Sequence, residues 1–412
     1  MTVALLKYYE RNQQKSQTKF MKTGYSIRTW RMRLVCPEPI WLDRTEEYFQ
    51  NVVEFYYHLL RQHEELWNSS LFDIQRSLEL LTLTGRDGRQ PTNPLPMGKV
   101  PVYLRRAAIN KASATVKSTQ ELQSGFPEKL EAKVTFFKGM YSDLTDRSIC
   151  LKLWNGEKWI WTDCNLKGRP FPQDGQLMSP TLVKEGRRYL LNIPVKQENS
   201  DARTAKERMA EGTSLCSVRF TNTDTFAVCC ILDEQGNQLA VHTCRGGDAY
   251  RHRCKLLETR IQKSRPNTVG DNSPQPNRKY YMHLKNLSEH YAHQVSREIL
   301  NFCKENQAGI IVLPDYDQNF TRMAMVKSGN FSPLHLSSKI RTNLQYKAWA
   351  EGILVLETRT DGLKDKCAIC GGKVRRKGNE FLCENGHQGN RFLNDARNLG
   401  RKCQDSFFRG SR

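Results

Sequence analysis

Apolar residues along this 412-residue chain change their period several times, and each change marks a different kind of element. Residues 26–35 alternate basic and apolar side chains as RTWRMRLV, the two-residue period of a strand with one charged face. From 45 to 67, Phe49, Val52, Val53, Tyr56, Leu59, Leu60 and His63 recur at three- and four-residue spacing, which predicts an amphipathic helix whose aromatic stripe faces a core. Helices are also expected over 71–83 and, after the breaker-rich loop 91–101, over 102–118. Residues 131–197 return to alternation interrupted by glycine turns. There Asn155-Gly156 predicts a tight two-residue hairpin and Glu185-Gly186 a weaker one, so that the segment reads as a small β-barrel with Trp154, Trp159 and Trp161 in its core.

A charged, helical connector over 201–212 leads into three short strands at 215–220, 226–232 and 238–242, with turns at 222–224 and 233–236. A helix, the low-complexity loop SRPNTVGDNSPQPNR and a second helix over 279–305 precede the apolar run 309–313, too short for a helix and so a strand. Three antiparallel strands, a helical connection and a returning strand make the arrangement of an RNase H-like domain. The longest apolar runs, such as AVCCIL at 227–232, fall far short of the roughly 20 residues a bilayer requires, so no membrane association is expected.

Charge narrows the partners. Lys and Arg outnumber Asp and Glu by 21, spread along the whole chain, which favours a polyanion. Candidate phosphate contacts are Arg31 and Arg33 on the first strand, Arg105, Arg106, Lys111 and Lys117 on the 102–118 helix, and Arg375 and Arg376 in KVRRKGNEF. Thirteen dispersed cysteines with no secretory leader point to a reducing, cytoplasmic compartment.

Four of the liganding residues cluster. Cys367 and Cys370 form a C-x2-C knuckle, and Cys383 and His387 follow the basic hairpin, giving the Cys3His set of a closed, structural zinc site. Cys403 lies beyond the next helix and is the weaker fourth ligand. The ribbon runs directly into NRFLNDARNLG.

HLKNLSEHYAHQVSREILNFCKENQAGIIVLPD, then LSSKIRTNLQYKAWAEGILVLE with Tyr346, Lys347, Ala348 and Gly352, then the ribbon and NRFLNDARNLG, together resemble the transposon-encoded TnpB family and the type V CRISPR effectors related to it. The resemblance is close over about 215–399; the N-terminal half agrees in the order of its elements. It implies an α+β multidomain protein, with an N-terminal helical and β-barrel lobe and a C-terminal RNase H-like (RuvC) domain carrying an inserted zinc ribbon. The expected segments are a flexible 1–22, first barrel strands at 23–44, a helical recognition region at 45–122, the rest of the barrel at 123–200, the RuvC-like domain at 201–363, the ribbon at 364–388, its final helix at 389–402 and a tail at 403–412. The family's second C-x2-C before Gly-His is incomplete here, since CENGH lacks the last cysteine. His293 and Ser296 match the family's helix but read as packing residues.

The family's nuclease site holds divalent ions on three acidic residues, because paired metal ions must be held against the attacking and leaving oxygens. Register by register, those positions fall here on Arg219, Pro314 and Phe392, with Asp224, Asp315 and Asp395 nearby. The expectation is therefore a non-enzyme without catalytic Mg2+, which binds a guide RNA and a matching double-stranded DNA target beside a short motif and forms an R-loop without cleavage. Repression of transcription or recruitment of a partner would follow, in a bacterial cytoplasm at the nucleoid, with a protein partner or a second copy as further company. The rival expectations are an endonuclease with displaced carboxylates and a guide-independent zinc-containing nucleic-acid-binding accessory protein.

Overall fold

A computed structural model describes residues 24–85, 87–172, 174–264, 277–316 and 331–408. The expected flexible segment 1–22, most of the 263–278 loop and residues 409–412 of the expected tail lie outside the described residues. The chain divides into two compact units, residues 27–197 and residues 1–26 with 198–412.

In the first unit, β1 (Tyr25–Val35) follows the alternation, with Met32 and Leu34 buried while Arg31 and Arg33 are exposed. Helix α1 (Pro39–Gln62) starts earlier than its apolar stripe because Pro39, with φ already near the helical value, sits at the first helical position. Helix α2 (Leu71–Thr82) is capped by Ser70, whose hydroxyl accepts the Asp73 N–H, and α3 (Val102–Leu122) runs four residues past its predicted end. The strands are β2 (Tyr141–Ser142), β3 (Ser148–Trp154), β4 (Trp159–Lys167), β5 (Gln176–Leu177), β6 (Thr181–Glu185) and β7 (Arg188–Glu198). Their order is β2-β3-β4-β1-β7-β5, with β6 also on β7, so the expected barrel is an open half-barrel with β2 and β5 as edges. Phe49, Tyr56, Leu104 and Ile109 from the helices share one core with Leu151, Leu153 and Ile193 from the sheet.

Two sequence expectations change here. Trp154 pairs with Trp159, so Asn155-Gly156 opens a four-residue loop and not a two-residue one. The Asn155 side-chain oxygen accepts the N–H groups of Glu157 and Lys158, both at 2.8 Å, and that Asx turn sets the length. The weaker signal is the true two-residue turn, since Glu185 pairs with Arg188. Trp154 and Trp159 gather around Tyr48, but Trp161 stands 47% exposed, because it falls on the outward face of β4 with Asp163.

The second unit opens with α4 (Ala205–Ala210), started by a capping box between Thr204 and Glu207. Its Arg208 is fully buried and donates to the carbonyls of Gly309 and Gly352 at 2.7 Å, Asp201 at 2.8 Å and Arg203 at 3.2 Å. There follow β8 (Leu215–Phe220), β9 (Thr225–Leu232), β10 (Gln238–Arg245), α5 (Gly247–Lys263), α6 (Arg278–Glu305), β11 (Ile310–Asp315), α7 (Ser337–Trp349) and β12 (Leu354–Arg359). A small sheet of β13 (Val374–Lys377), β14 (Glu380–Cys383) and β15 (Gln388–Asn390) precedes α8 (Arg391–Phe408), which extends past the predicted end at 402.

The main sheet runs β10-β9-β8-β11-β12, antiparallel through the first three strands and parallel across β8, β11 and β12. Its faces separate by alternation. Cys216, Val218, Ile311 and Leu313 pack with α5, α6 and α7, while Leu215, Leu232, Ile310, Val312 and Leu354 pack with α4 and α8. Helix α8 lies close on the sheet at Gly400, where a β-carbon would stand 2.5 Å from the Leu232 side chain.

Candidate functional site

Strand alternation decides which side chains meet. Arg219 is two residues from Ser217 and four from Leu215, so it faces α8; Pro314 follows Ile310 and Val312 onto the same face. The β8–β11 ladder ends at Val312 opposite Ser217, and Pro314 and Arg219 each stand two residues further on. Phe392, in the first turn of α8, is 7% exposed and lines a small pocket with Val228, the cross-strand neighbour of Arg219. The fold thus brings Arg219, Pro314 and Phe392 to one end of one sheet face.

The group that fills the middle is Asp395, one turn after Phe392 and 1% exposed. Arg219 forms an ion pair with it at 3.3 Å, and Arg376 of β13 makes a second at 2.5 Å. Arg219 also donates to the Tyr316 hydroxyl at 2.6 Å, and Arg376 to the Lys364 carbonyl at 2.9 Å. Burial pushes the Tyr316 phenol above its ordinary pKa and pulls the Lys364 ammonium down, with Arg219 adding to the latter. The Arg391 guanidinium, 4.6 Å from the centroid of the Phe392 ring, is also pulled down, by burial and then by Arg376.

Neither Asp224 nor Asp315 forms an ion pair with Arg219 or Arg376, although Asp224 lines the small pocket with Phe392. Asp315 is exposed, on the strand position after buried Pro314, and Asp224 is exposed in the β8–β9 turn, its carbonyl accepting the Gly247 N–H. On the opposite sheet face Glu357, whose carboxyl burial pushes up, meets Arg341 at 3.4 Å; Arg341 also donates to the Pro314 carbonyl at 3.1 Å. Among the described residues, two groups of three or more ligand-type side chains bring their ligand atoms within 4.8 Å of one another, and neither contains Asp224, Asp315 or Asp395.

One group is the predicted quartet, Cys367, Cys370, Cys383 and His387. It is built from two tight turns. In the first, the Ile369 N–H points at Cys367 Sγ at 3.4 Å; in the second, the Asn385 N–H points at Cys383 Sγ at 3.4 Å. The Asn385 amide donates to Cys370 Sγ at 3.3 Å and, as the largest influence, lowers that thiol to about 6. His387 Nδ1 is buried without a hydrogen-bond partner. Turns that aim N–H groups at sulfur, a low thiol pKa and an orphaned imidazole nitrogen all suit a tetrahedral thiophilic cation. Cys403 is buried in the α8 core, away from the quartet. The other group, His242, Cys244 and Glu298, includes a 2.6 Å His242–Glu298 contact.

The basic candidates divide. Arg33, Lys111 and Arg375 are exposed. Arg31 is exposed but paired with Glu185. Arg105 is buried and, with Arg106, is held by Glu79, both at 3.1 Å, so these two serve the packing of α2 on α3. Lys117 donates to the Ser69 carbonyl at 2.9 Å, and Arg376 belongs to the Asp395 cluster. His293 and Ser296 also serve packing: Lys347 donates to the His293 carbonyl at 3.1 Å and to the Ser296 hydroxyl at 2.7 Å. Sequence reasoning missed Arg208, Tyr316 and Glu357. Only Arg208 left a signal, an arginine opposite Asp201 around a capping box.

No helix among the described residues is long and apolar enough to cross a membrane. A family model described as the Aq_aa04 family matches residues 26–155, and no curated protein matches the chain. The structure of a Cas12f1–sgRNA–target DNA complex superposes with a TM-score of 0.55 at 11% identity, over 92% of this chain and 99% of that one. That of the mini-RNA-guided endonuclease CRISPR-Cas_phi3 gives 0.51 at 9% identity, over 95% and 96%. Both likenesses extend over more than nine-tenths of the chain and so include both units, and the chain shares the fold of these two effector proteins.

Proposed function

We propose that this protein binds a guide RNA and, through it, a complementary double-stranded DNA target next to a short motif, and that it holds the resulting R-loop without cutting. The observation that carries the inactive half of this reading is the Arg219–Asp395 ion pair. A nuclease of this fold needs carboxylates free to coordinate Mg2+, a hard ion that accepts oxygen ligands. Here the buried carboxylate at that end of the sheet is engaged by two guanidiniums, and Pro314 and Phe392 offer no ligand. A fixed cation beside the site opposes the entry of another. The guided half is supported by the likeness to the protein of a Cas12f1–sgRNA–target DNA complex, and by the excess of 21 positive charges. Target choice would then lie in base pairing.

On this reading the unit from 198 onward is the RuvC-like domain, and its quartet Cys367, Cys370, Cys383 and His387 would hold zinc, which supplies cross-linking and no chemistry. A persistent R-loop would obstruct RNA polymerase and so repress transcription. The test is to purify the protein with its RNA, sequence that RNA, and offer the complex a matching duplex with Mg2+. A discrete RNA, stable binding and intact DNA are expected; Mg2+-dependent cleavage would overturn the inactive reading, and heterogeneous RNA the guided one.

A further inference from the structure

The charge at the Asp395 cluster is inverted with respect to a metal centre. Arg219 and Arg376 contact the buried carboxylate of Asp395, and Arg391 stands one helical turn before it on α8. Three guanidiniums therefore gather at one buried acid. Such a group is stabilised by an anion, as a cluster of acids is by a cation. Arg391, at the start of α8, is partly buried; its guanidinium has no side-chain carboxylate partner among the described residues, and its enclosed Nε has no hydrogen-bond partner. The Phe392 ring lies against the guanidinium, 4.6 Å from its centre, and holds its plane.

We infer that this cluster is a metal-independent seat for a phosphodiester oxyanion of a nucleic-acid strand, with Arg391 as the contacting residue and Arg219 and Arg376 as the source of its field. The proposal rests on the reading of the chain as a nucleic-acid-binding protein, but it does not require guide RNA. Guanidinium suits the ligand because its planar donors match phosphate oxygens. A strand is favoured over free phosphate because the whole chain carries the charge excess that polyanions exploit.

The test uses the full-length protein in buffer without Mg2+ or chelator, with a fluorescent thymidine oligonucleotide titrated at several salt concentrations. Arg391→Ala should weaken binding several-fold and flatten the salt dependence by about 0.7 in log–log slope, the value for one lost phosphate contact on a single strand. Arg391→Lys should largely restore the slope. Arg260→Ala, which removes an equal charge from α5 in the same unit, should have a smaller effect. An unchanged slope in Arg391→Ala, or wild-type binding that appears only when Mg2+ is added, would overturn the proposal. Inorganic phosphate that displaces the oligonucleotide at equal phosphate concentration would replace the strand with a small anion as the ligand. Arg219→Gln provides a second variant should Arg391→Ala unfold, and it should lower affinity in the same direction. The guided reading is tested separately by sequencing the RNA, so the two can fail independently.

Discussion

Arg376, on the first strand of the small sheet, reaches Asp395 on the last helix and so ties the metal-ligand segment to the end of the main sheet. The attachment is reinforced where Asn394 accepts the Ala368 N–H at 2.8 Å and donates to the Lys366 carbonyl at 2.8 Å. Arg376→Ala leaves Asp395 with Arg219 alone and should cost about 2 kcal/mol, the range for hydrogen bonds to a charged group. Asp395→Asn should cost more, because it leaves two guanidiniums crowded at a buried site. Thermal unfolding of the single variants and of the double variant measures the coupling between them.

Chelation should loosen the same segment. If the quartet holds zinc, metal analysis will find it bound at near one equivalent, and removal should raise hydrogen exchange over 364–390 while residues 27–197 are unaffected. His387→Ala should give the same exchange pattern without chelator. Unaltered exchange on chelation would show that the turns stand without a metal.

Arg208 should be among the most costly residues in the chain to replace. Its guanidinium satisfies four carbonyls in the interior, at the starts of β11 and β12 and in the connector, and burial already lowers its pKa. Arg208→Met removes the donors and leaves those carbonyls dry, at about 3 to 5 kcal/mol. Arg208→Lys should recover little, since one ammonium cannot span the same set. Chemical denaturation of the three proteins measures both.

Lys347 gives the fold a pH dependence. Burial, with Arg297 second, lowers its ammonium to about 8 from an ordinary 10.5. The unfolded chain then holds more protons between those values, so this contribution to stability rises with pH across the window from about 8 to about 10.5. Lys347→Met should remove that rise. Subtracting the pH profiles of the two proteins isolates it from the tyrosines and thiols that titrate nearby.

Much of the fold was legible because period and punctuation agree in this chain. The alternation of Met32 and Leu34 with Arg31 and Arg33 set the first strand, and the stripe from Phe49 to Leu60 set the first helix. The misses share a cause. Asn155-Gly156 has the composition of a tight turn, but the Asn155 side chain holds two backbone N–H groups and lengthens it. Arg105 and Arg106 look like a basic face, but Glu79, 26 and 27 residues earlier in sequence, takes them both. The metal quartet was readable because its spacing is local. The partners of Asp395 were not, since they come from β8 and β13, far from one another in sequence.

The double engagement of Asp395 makes any path to a metal centre at this end of the sheet steep. Restoring an acid by Arg219→Asp removes a partner of Asp395 and sets a second carboxylate beside it, while Pro314 and Phe392 still lack ligands. Each step toward coordination therefore weakens the fold before any ion can bind. Arg219 and Asp395 act as a ratchet: a chain that holds the pair keeps its fold most easily by keeping it, and on the proposed reading selection would act on what such a protein holds, not on what it cuts.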